Sequence, residues 1–194
     1  MTRIFDIIFS FFGLLLLSPI IIVFLIVGFF DTGSPLFRQE RVGVNKKPFY
    51  LLKFRSMHVN TQNIATHLVQ VTAITKWGAF LRKSKLDELP QLFNVLKGDM
   101  SIVGPRPNLY NQNELIVERG KRGVYSIRPG ITGLAQIYKI DMSTPELLAE
   151  TDAKMIKQLN VLYYFKYIFL TAFGMGFGDR VRRDSGKFPP TTLN

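Results

Sequence analysis

From Ile4 to Phe30 the chain is apolar almost without interruption, the notable breaks being Asp6 and Ser18-Pro19. A run of this length exceeds the roughly 20 residues that cross a bilayer as a helix. It is long for a signal peptide, its start is barely basic and no A-x-A-like site follows, so it is expected to stay attached. Pro19 removes one helical hydrogen bond and crowds the carbonyl four residues earlier. The Ser18 hydroxyl can satisfy a group released there. Each half alone is too short for a hydrocarbon core of about 30 Å. Two geometries stay open on this pattern: a kinked single-pass helix, which the pattern alone favours, and a re-entrant helix that enters one leaflet and returns.

Beyond the apolar run the periodicity changes. Pro35 to Met57 alternates around the turn-rich stretch 43–47 and predicts a β-hairpin, with Lys53 and Arg55 on one face. His58 to Thr75 is polar and weakly patterned. Trp77 to Lys83 predicts a short helix. Leu86, Leu89, Phe93 and Leu96 recur at helical spacing and predict a buried face. Ser84 with Asp87 suggests a capping-box start, Pro90 belongs near a helix beginning, and Gly98 ends the helix. Pro129-Gly130 suggests a type II turn. Thr144, Pro145 and Glu146 open a helix running to Leu159. Val161 to Phe177 is aromatic-rich and apolar nearly all round, suiting burial or a bilayer surface, where Tyr163, Tyr164, Lys166 and Tyr167 favour the headgroup layer. The segment from Asp179 reads as a loose basic tail.

Charge sharpens the picture. The 194 residues carry a formal net charge of +11, and Arg3 and Asp6 cancel within the apolar run, so the excess belongs to the body. A basic body behind an apolar segment suggests an anionic lipid surface or an anionic substrate, with nucleic acid as the weaker partner. Arg38, Arg41, Lys46 and Lys47 place the body in the cytoplasm by the positive-inside bias. No cysteine is present, which excludes disulfides and thiolate metal sites. His58 and His67 stand in no ligand spacing.

The candidate chemistry lies in SKLDELPQLFNVLKGDM and its surroundings. Asp87 and Glu88 at a helix start are an ordinary stabilising device, and pattern alone favours that reading. The chemical reading gains from the basic residues nearby, since adjacent carboxylates on a helix point in different directions and can divide attack from metal binding. Lys53 is either an edge-protecting lysine or a phosphate cradle. Arg106, between Pro105 and Pro107, and Arg128, before Pro129-Gly130, are rigidly presented guanidinium groups suited to bidentate phosphate contact, or else turn residues.

The apolar start with Ser18-Pro19, the PLFRQERVG and KFRSM strands, LDELPQ, GPRP and RPGITG together closely resemble the bacterial sugar transferase family of monotopic phosphoglycosyl transferases. The resemblance covers nearly the whole chain and is to the short form. It implies an α+β fold: a mostly helical cytoplasmic domain with a small β-hairpin, interfacial amphipathic helices, and a re-entrant membrane helix broken at Ser18 and Pro19. The expected division is 1–30 for that helix, 31–178 for the catalytic domain and 179–194 for the basic tail. The implied reaction moves a sugar-1-phosphate from a UDP-sugar to undecaprenyl phosphate at the bacterial inner membrane and releases UMP. Asp87 matches the nucleophile, Glu88 the residue that holds Mg²⁺, and Lys53, Arg82, Arg106 and Arg128 the basic positions around the phosphates.

Departures from the family pattern concern the sugar rather than the chemistry. Leu134 replaces the usual aromatic after GITG, the stretch 59–62 lacks the usual acidic residues, and 138–157 differs, although Asp152 takes the place of a usual aspartate. An N-acetylated hexosamine, 6-deoxy or not, is the expected sugar by similarity to short-form members. The oligomeric state stays open, a dimer included. The rivals are a non-catalytic membrane-surface lipid-binding protein and a membrane-anchored nucleic-acid binder.

Overall fold

A computed structural model describes residues 2–59, 61 and 73–175. The expected tail over 179–194 and most of the stretch from His58 to Thr75, His67 included, lie outside the described residues. The architecture is α+β, as the resemblance implies.

Helix α1, Thr2–Thr32, runs unbroken through Pro19. The carbonyl that Pro19 cannot bond is that of Leu15, and the Ser18 hydroxyl donates to it at 2.8 Å. At the level of backbone assignment the expected break is therefore one substituted hydrogen bond. The helix is long and apolar enough to cross a membrane, and only 6% of its most apolar stretch is buried by protein. Ile4, Phe11, Leu15, Leu16, Ile22 and Phe30 are among its exposed side chains.

Both ends of α1 are nevertheless bound to the same body. Near the start, Arg3 donates to the carbonyls of Val95 (2.6 Å) and Leu96 (3.0 Å). Asp6 Oδ1 accepts from Ser101 Oγ (2.9 Å), Ile102 N (2.9 Å) and the Tyr164 hydroxyl (2.8 Å). Near the other end, Phe24 packs edge-on against Phe54 and Trp77, and Asp31 accepts from Thr75 Oγ1 at 2.7 Å. Arg3, Asp6, Ser10 and Gly13, and again Phe24, Gly28 and Asp31, recur at a spacing of three and four, and the step of eleven between the two sets, about three turns, keeps them on one stripe of a helix. That stripe lies on the protein, joined by Phe5, Ile21 and Leu25, and most of the other apolar side chains of α1 are exposed.

The hairpin forms as expected from β1, Leu36–Val42, and β2, Pro48–Phe54, antiparallel with Phe37 opposite Lys53 and Gln39 opposite Leu51. Period-two alternation gives it two uses. Phe49 and Leu51 enter a core with Val95 and Met100, whereas Phe54 turns to the other side and packs with Phe24 and Leu81. A second, parallel pair joins β3, Ser101–Val103, to β4, Gly130–Thr132, and no alternation in three-residue strands announces it. The expected type II turn at Pro129-Gly130 does not form, since Gly130 is not among the positive-φ residues. Gly130 is required for close approach instead: a Cβ there would lie 2.0 Å from the Gly104 nitrogen.

The remaining helices are α2, Lys76–Ser84, α3, Gln91–Lys97, α4, Asn113–Lys121, α5, Leu134–Ile137, α6, Pro145–Gln158, and α7, Val161–Ala172. Helix α6 begins where expected, although Thr144 makes no side-chain cap bond. The face predicted for the LDELPQ segment is corrected. Phe93 is 53% exposed, and α3 buries Gln91, Asn94 and Val95 instead. Leu86 and Leu89 do pack against the core of Phe24, Phe54 and Leu81, but they precede α3, so the run does not continue as a buried stripe of that helix. Helix α7 buries Tyr164 and Tyr167 in a core with Val103, Ile137 and Met155, and exposes Leu162, Phe169 and Phe173.

Candidate active site

Asp87 and Glu88 sit in a 3-10 turn, Leu86–Glu88, between α2 and α3. The expected capping box does not form. Ser84 is the last residue of α2, and its hydroxyl donates back to the Phe80 carbonyl at 2.8 Å. Lys85 takes a left-handed conformation (φ 61°) that ends α2 and starts the turn. Pro90, which has no N–H to lose, then precedes the first turn of α3. Asp87 is 6% and Glu88 9% exposed, so both carboxylates are buried beside a helix start.

Helix α3 is fastened so that this turn meets β2. The Asn94 side-chain oxygen accepts from Leu52 N (3.0 Å), and its amide donates to the Tyr50 carbonyl (2.7 Å). One side chain thus stands in for a strand along β2. Lys53, from the same strand, reaches Glu88 Oε1 at 3.2 Å and Asp87 Oδ2 at 3.9 Å. Arg106 Nη2 donates to the same Glu88 oxygen at 2.9 Å.

These neighbours separate two carboxylates of similar chemistry. Burial pushes the Asp87 carboxyl up, with Lys53 pulling against it and Glu88 adding to it. Burial would raise Glu88 too, but Arg106 and Lys53 outweigh it and hold that carboxyl well below the usual range. Burial lowers the Lys53 ammonium, while Glu88 raises Arg106. The site is therefore a fixed anion, Glu88, beside a carboxyl whose charge is poorly compensated.

Of the residues singled out by sequence, Lys53, Asp87, Glu88 and Arg106 converge, and Arg82 acts on Asp87 through its charge. Arg128 is placed at the opposite end of α3, where its exposed Nε donates to the Gly98 carbonyl at 2.8 Å. There, with Arg3, it complements the negative end of the helix. Three buried residues join the site that the sequence did not mark as its members: Arg41, which senses Arg106 and Glu88 electrostatically, and the Arg119–Asp152 pair. A signal for Arg41 existed, since alternation puts it with Gln39 on the face that carries Lys53.

Among the described residues no cluster of three His, Asp or Glu side chains could hold a metal. Mg²⁺ is commonly held by one or two carboxylates with substrate phosphates and waters completing the shell. Asp87 and Glu88 fit that donor set, Glu88 being the side chain expected to hold the ion. A groove beside the turn is lined by Lys85, Glu88 and Arg106, by the apolar Leu89, Leu92, Ile131 and Met175, and by the polar Thr132, Gln136 and Thr171. Leu92 Cδ1 lies 3.4 Å from where a Cβ on Gly13 would be, so the groove's wall adjoins α1.

Residues 1–178 match the bacterial sugar transferase family, and the chain belongs to it. It is 40% identical over 178 residues to the UDP-glucose:undecaprenyl-phosphate glucose-1-phosphate transferase of Escherichia coli, covering 87% of this chain and 38% of that protein. It is 39% identical over 170 residues to the uncharacterized sugar transferase EpsL of Bacillus subtilis, covering 87% of this chain and 84% of that one. To the UDP-N-acetylgalactosamine-undecaprenyl-phosphate N-acetylgalactosaminephosphotransferase of Aeromonas hydrophila it is 36% identical over 177 residues, covering 82% and 41%. The chain thus spans about two fifths of the length of the first and third of these relatives.

Proposed function

We propose that this chain is a phosphoglycosyl transferase that moves a sugar-1-phosphate from a UDP-sugar to a polyprenyl phosphate through a covalent intermediate on Asp87. The observation that carries the reading is the buried Asp87-Glu88 turn met by Lys53 and Arg106 at the head of a groove that adjoins the apolar helix. The names of the relatives supply the substrate classes.

In the first step an Asp87 carboxylate oxygen attacks the β-phosphorus of the donor. The bond from that phosphorus to the bridging oxygen breaks, and UMP leaves with the electron pair. In the second step an oxygen of the polyprenyl phosphate attacks the same phosphorus, and the acyl-phosphate bond breaks to restore Asp87. Dividing the transfer lets a soluble donor and a membrane-bound acceptor use the site in turn. Glu88 locks Lys53 and Arg106 in place, so that cations already aimed at the phosphates need no reordering. Mg²⁺ bound at Glu88 would supply charge neutralisation for the diphosphate and for departing UMP. The apolar part of the groove's lining, Leu89, Leu92, Ile131 and Met175, suits the first isoprene units of the acceptor. The sugar is read as an N-acetylated hexosamine.

The membrane reading follows from α1. Its two ends bind one body, which supports reading it as a helix that enters a single leaflet and returns, and the basic residues that follow it support a catalytic domain on the cytoplasmic face of the inner membrane. Incubation with a panel of UDP-sugars and Mg²⁺, without acceptor, should add one phosphosugar mass to the protein, mapping to Asp87. Adding undecaprenyl phosphate should discharge it and sustain UMP release. An adduct on another residue, or steady turnover with no adduct under rapid quench, would overturn the covalent Asp87 mechanism.

A further inference from the structure

Four consecutive carbonyl oxygens in the loop that presents Arg106 are each bound by a donor from elsewhere in the chain. Gly130 N donates to Pro105 O at 2.8 Å and Val42 N to Asn108 O at 3.0 Å. Between them, Arg119 Nη1 donates to Arg106 O at 2.8 Å and Arg41 Nη1 to Pro107 O at 3.2 Å. Two of the four donors are buried guanidinium groups. Arg119 is 1% exposed and its charge is met by Asp152, 0% exposed, whose Oδ2 accepts from Nε at 3.0 Å and Nη2 at 2.7 Å. Arg119 Nη1 also reaches Asn108 Oδ1 at 2.9 Å, an oxygen that the Tyr125 hydroxyl binds at 3.0 Å.

Burying such a pair is a poor way to gain stability, since apolar residues of equal volume often do as well or better. Asp152 Oδ1 moreover has no hydrogen-bond partner among the described residues, which raises the penalty. What the pair provides is direction. Pro107 restricts the Arg106 backbone to extended conformations but leaves a range of ψ. A donor on the Arg106 carbonyl fixes the peptide plane within that range, and with it the line along which the side chain leaves the loop toward Glu88.

We infer that Arg119 and Asp152 are positioning residues for Arg106: the buried ion pair holds the Arg106 carbonyl and thereby sets the Arg106–Glu88 contact. The inference rests on the proposed reaction for its kinetic consequence, but not for its structural one. Arg119 and Asp152 touch no reacting group. A displacement of the loop by about an ångström can lower turnover on the order of 100-fold.

The test is a double-mutant cycle on the full chain in nanodiscs, with folding checked by circular dichroism and thermal unfolding. Asp152→Asn and Arg119→Lys are each expected to lower kcat/KM for UMP release by roughly 10- to 100-fold in the parent. In an Arg106→Lys background the further loss should be under about threefold, because the aim being disturbed no longer matters. Equal losses in both backgrounds, or none in the parent, would overturn the inference. Tyr125→Phe removes one hydrogen bond at the edge of the network and guards against variants that do not fold. It should show the same coupling on a scale of about two- to fivefold. Hydrogen exchange read by mass spectrometry gives an arm independent of activity. Peptides containing the Val42 and Gly130 amides, which hold the loop's outer carbonyls, should exchange faster in the folded Asp152→Asn or Tyr125→Phe variant, and unchanged exchange would sink the inference. A parent that releases UMP from no donor, yet shows the exchange difference, would refute the proposed reaction and leave the positioning role standing.

Discussion

Lys53 stands 3.2 Å from Glu88 but 3.9 Å from Asp87, and Arg106 bonds Glu88. The consequence at the scale of single residues is that adjacent carboxylates contribute to stability with opposite signs. Asp87 has its pKa raised by burial, so the fold binds its proton more tightly than the unfolded chain. Its ionisation then opposes folding as pH rises from the unfolded value of about 3.9 through the higher folded one. Glu88 is held well below the usual range despite burial, by Arg106 and Lys53. Its stabilisation is complete above the unfolded value of about 4.3 and is lost as pH falls through the folded one. At pH 7, Asp87→Asn should therefore abolish transfer while leaving the thermal midpoint unchanged or higher. Glu88→Gln should destabilise by about 3 kcal/mol, since it strands two partly desolvated cations. In the parent, turnover should fall on the acid side at a pH above the ordinary aspartate range as Asp87 takes up a proton. Thermal unfolding of both variants beside a pH–rate profile checks all of this. Equal destabilisation by both amides would show that the carboxylates act as one unit.

At the scale of elements, the site depends on how α3 is held against β2. Asn94 satisfies the Leu52 amide and the Tyr50 carbonyl, and no other side chain of that size offers both a donor and an acceptor in the required order. Asn94→Ala should cost about 1–3 kcal/mol from the backbone groups left unpaired. It should also lower kcat/KM, because Lys53 and Glu88 sit on the two elements so joined. Unchanged kinetics in a destabilised Asn94→Ala protein would show that the turn keeps its place without this bond. These elements were unequally legible in the sequence. The hairpin was readable because alternation is a local signal that its own strands carry. The Asp87-Glu88 turn was read as part of a helix because Leu86 and Leu89 happen to fall in phase with α3, whereas a left-handed Lys85 leaves no compositional mark. The β3–β4 pair was invisible because its strands are three residues long and find each other across a long separation. Arg119 and Asp152 were missed as partners for the same reason: a buried arginine and a solvated one look alike until the chain places a carboxylate beside one of them.

At the scale of the whole molecule, α1 is the element through which the proposed membrane contact reaches the site. A straight helix of its 31 residues would be about 46 Å long by its rise. If it crossed the bilayer, Arg3 and Asp6 would lie on the far side from Asp31, yet both ends bind the same domain. Asp6 is the stronger tether, since its carboxylate takes three donors from β3 and α7 in a buried position. Pulling it into hydrocarbon would forfeit all three and leave a buried polar group without partners. The chain has no cysteine, so single replacements give clean reporters of side. Thr2→Cys and Thr32→Cys should both resist a membrane-impermeant thiol reagent in intact cells and both react after permeabilisation. Asp6→Leu in the Thr2→Cys background removes the tether and makes the start of the helix apolar, and a fraction of the molecules should then become labelled from outside. Labelling of Thr2→Cys from outside with Asp6 in place would establish a spanning helix. If Asp6→Leu leaves the first residues protected, Ser18-Pro19 and the flanking charges hold the topology without the tether.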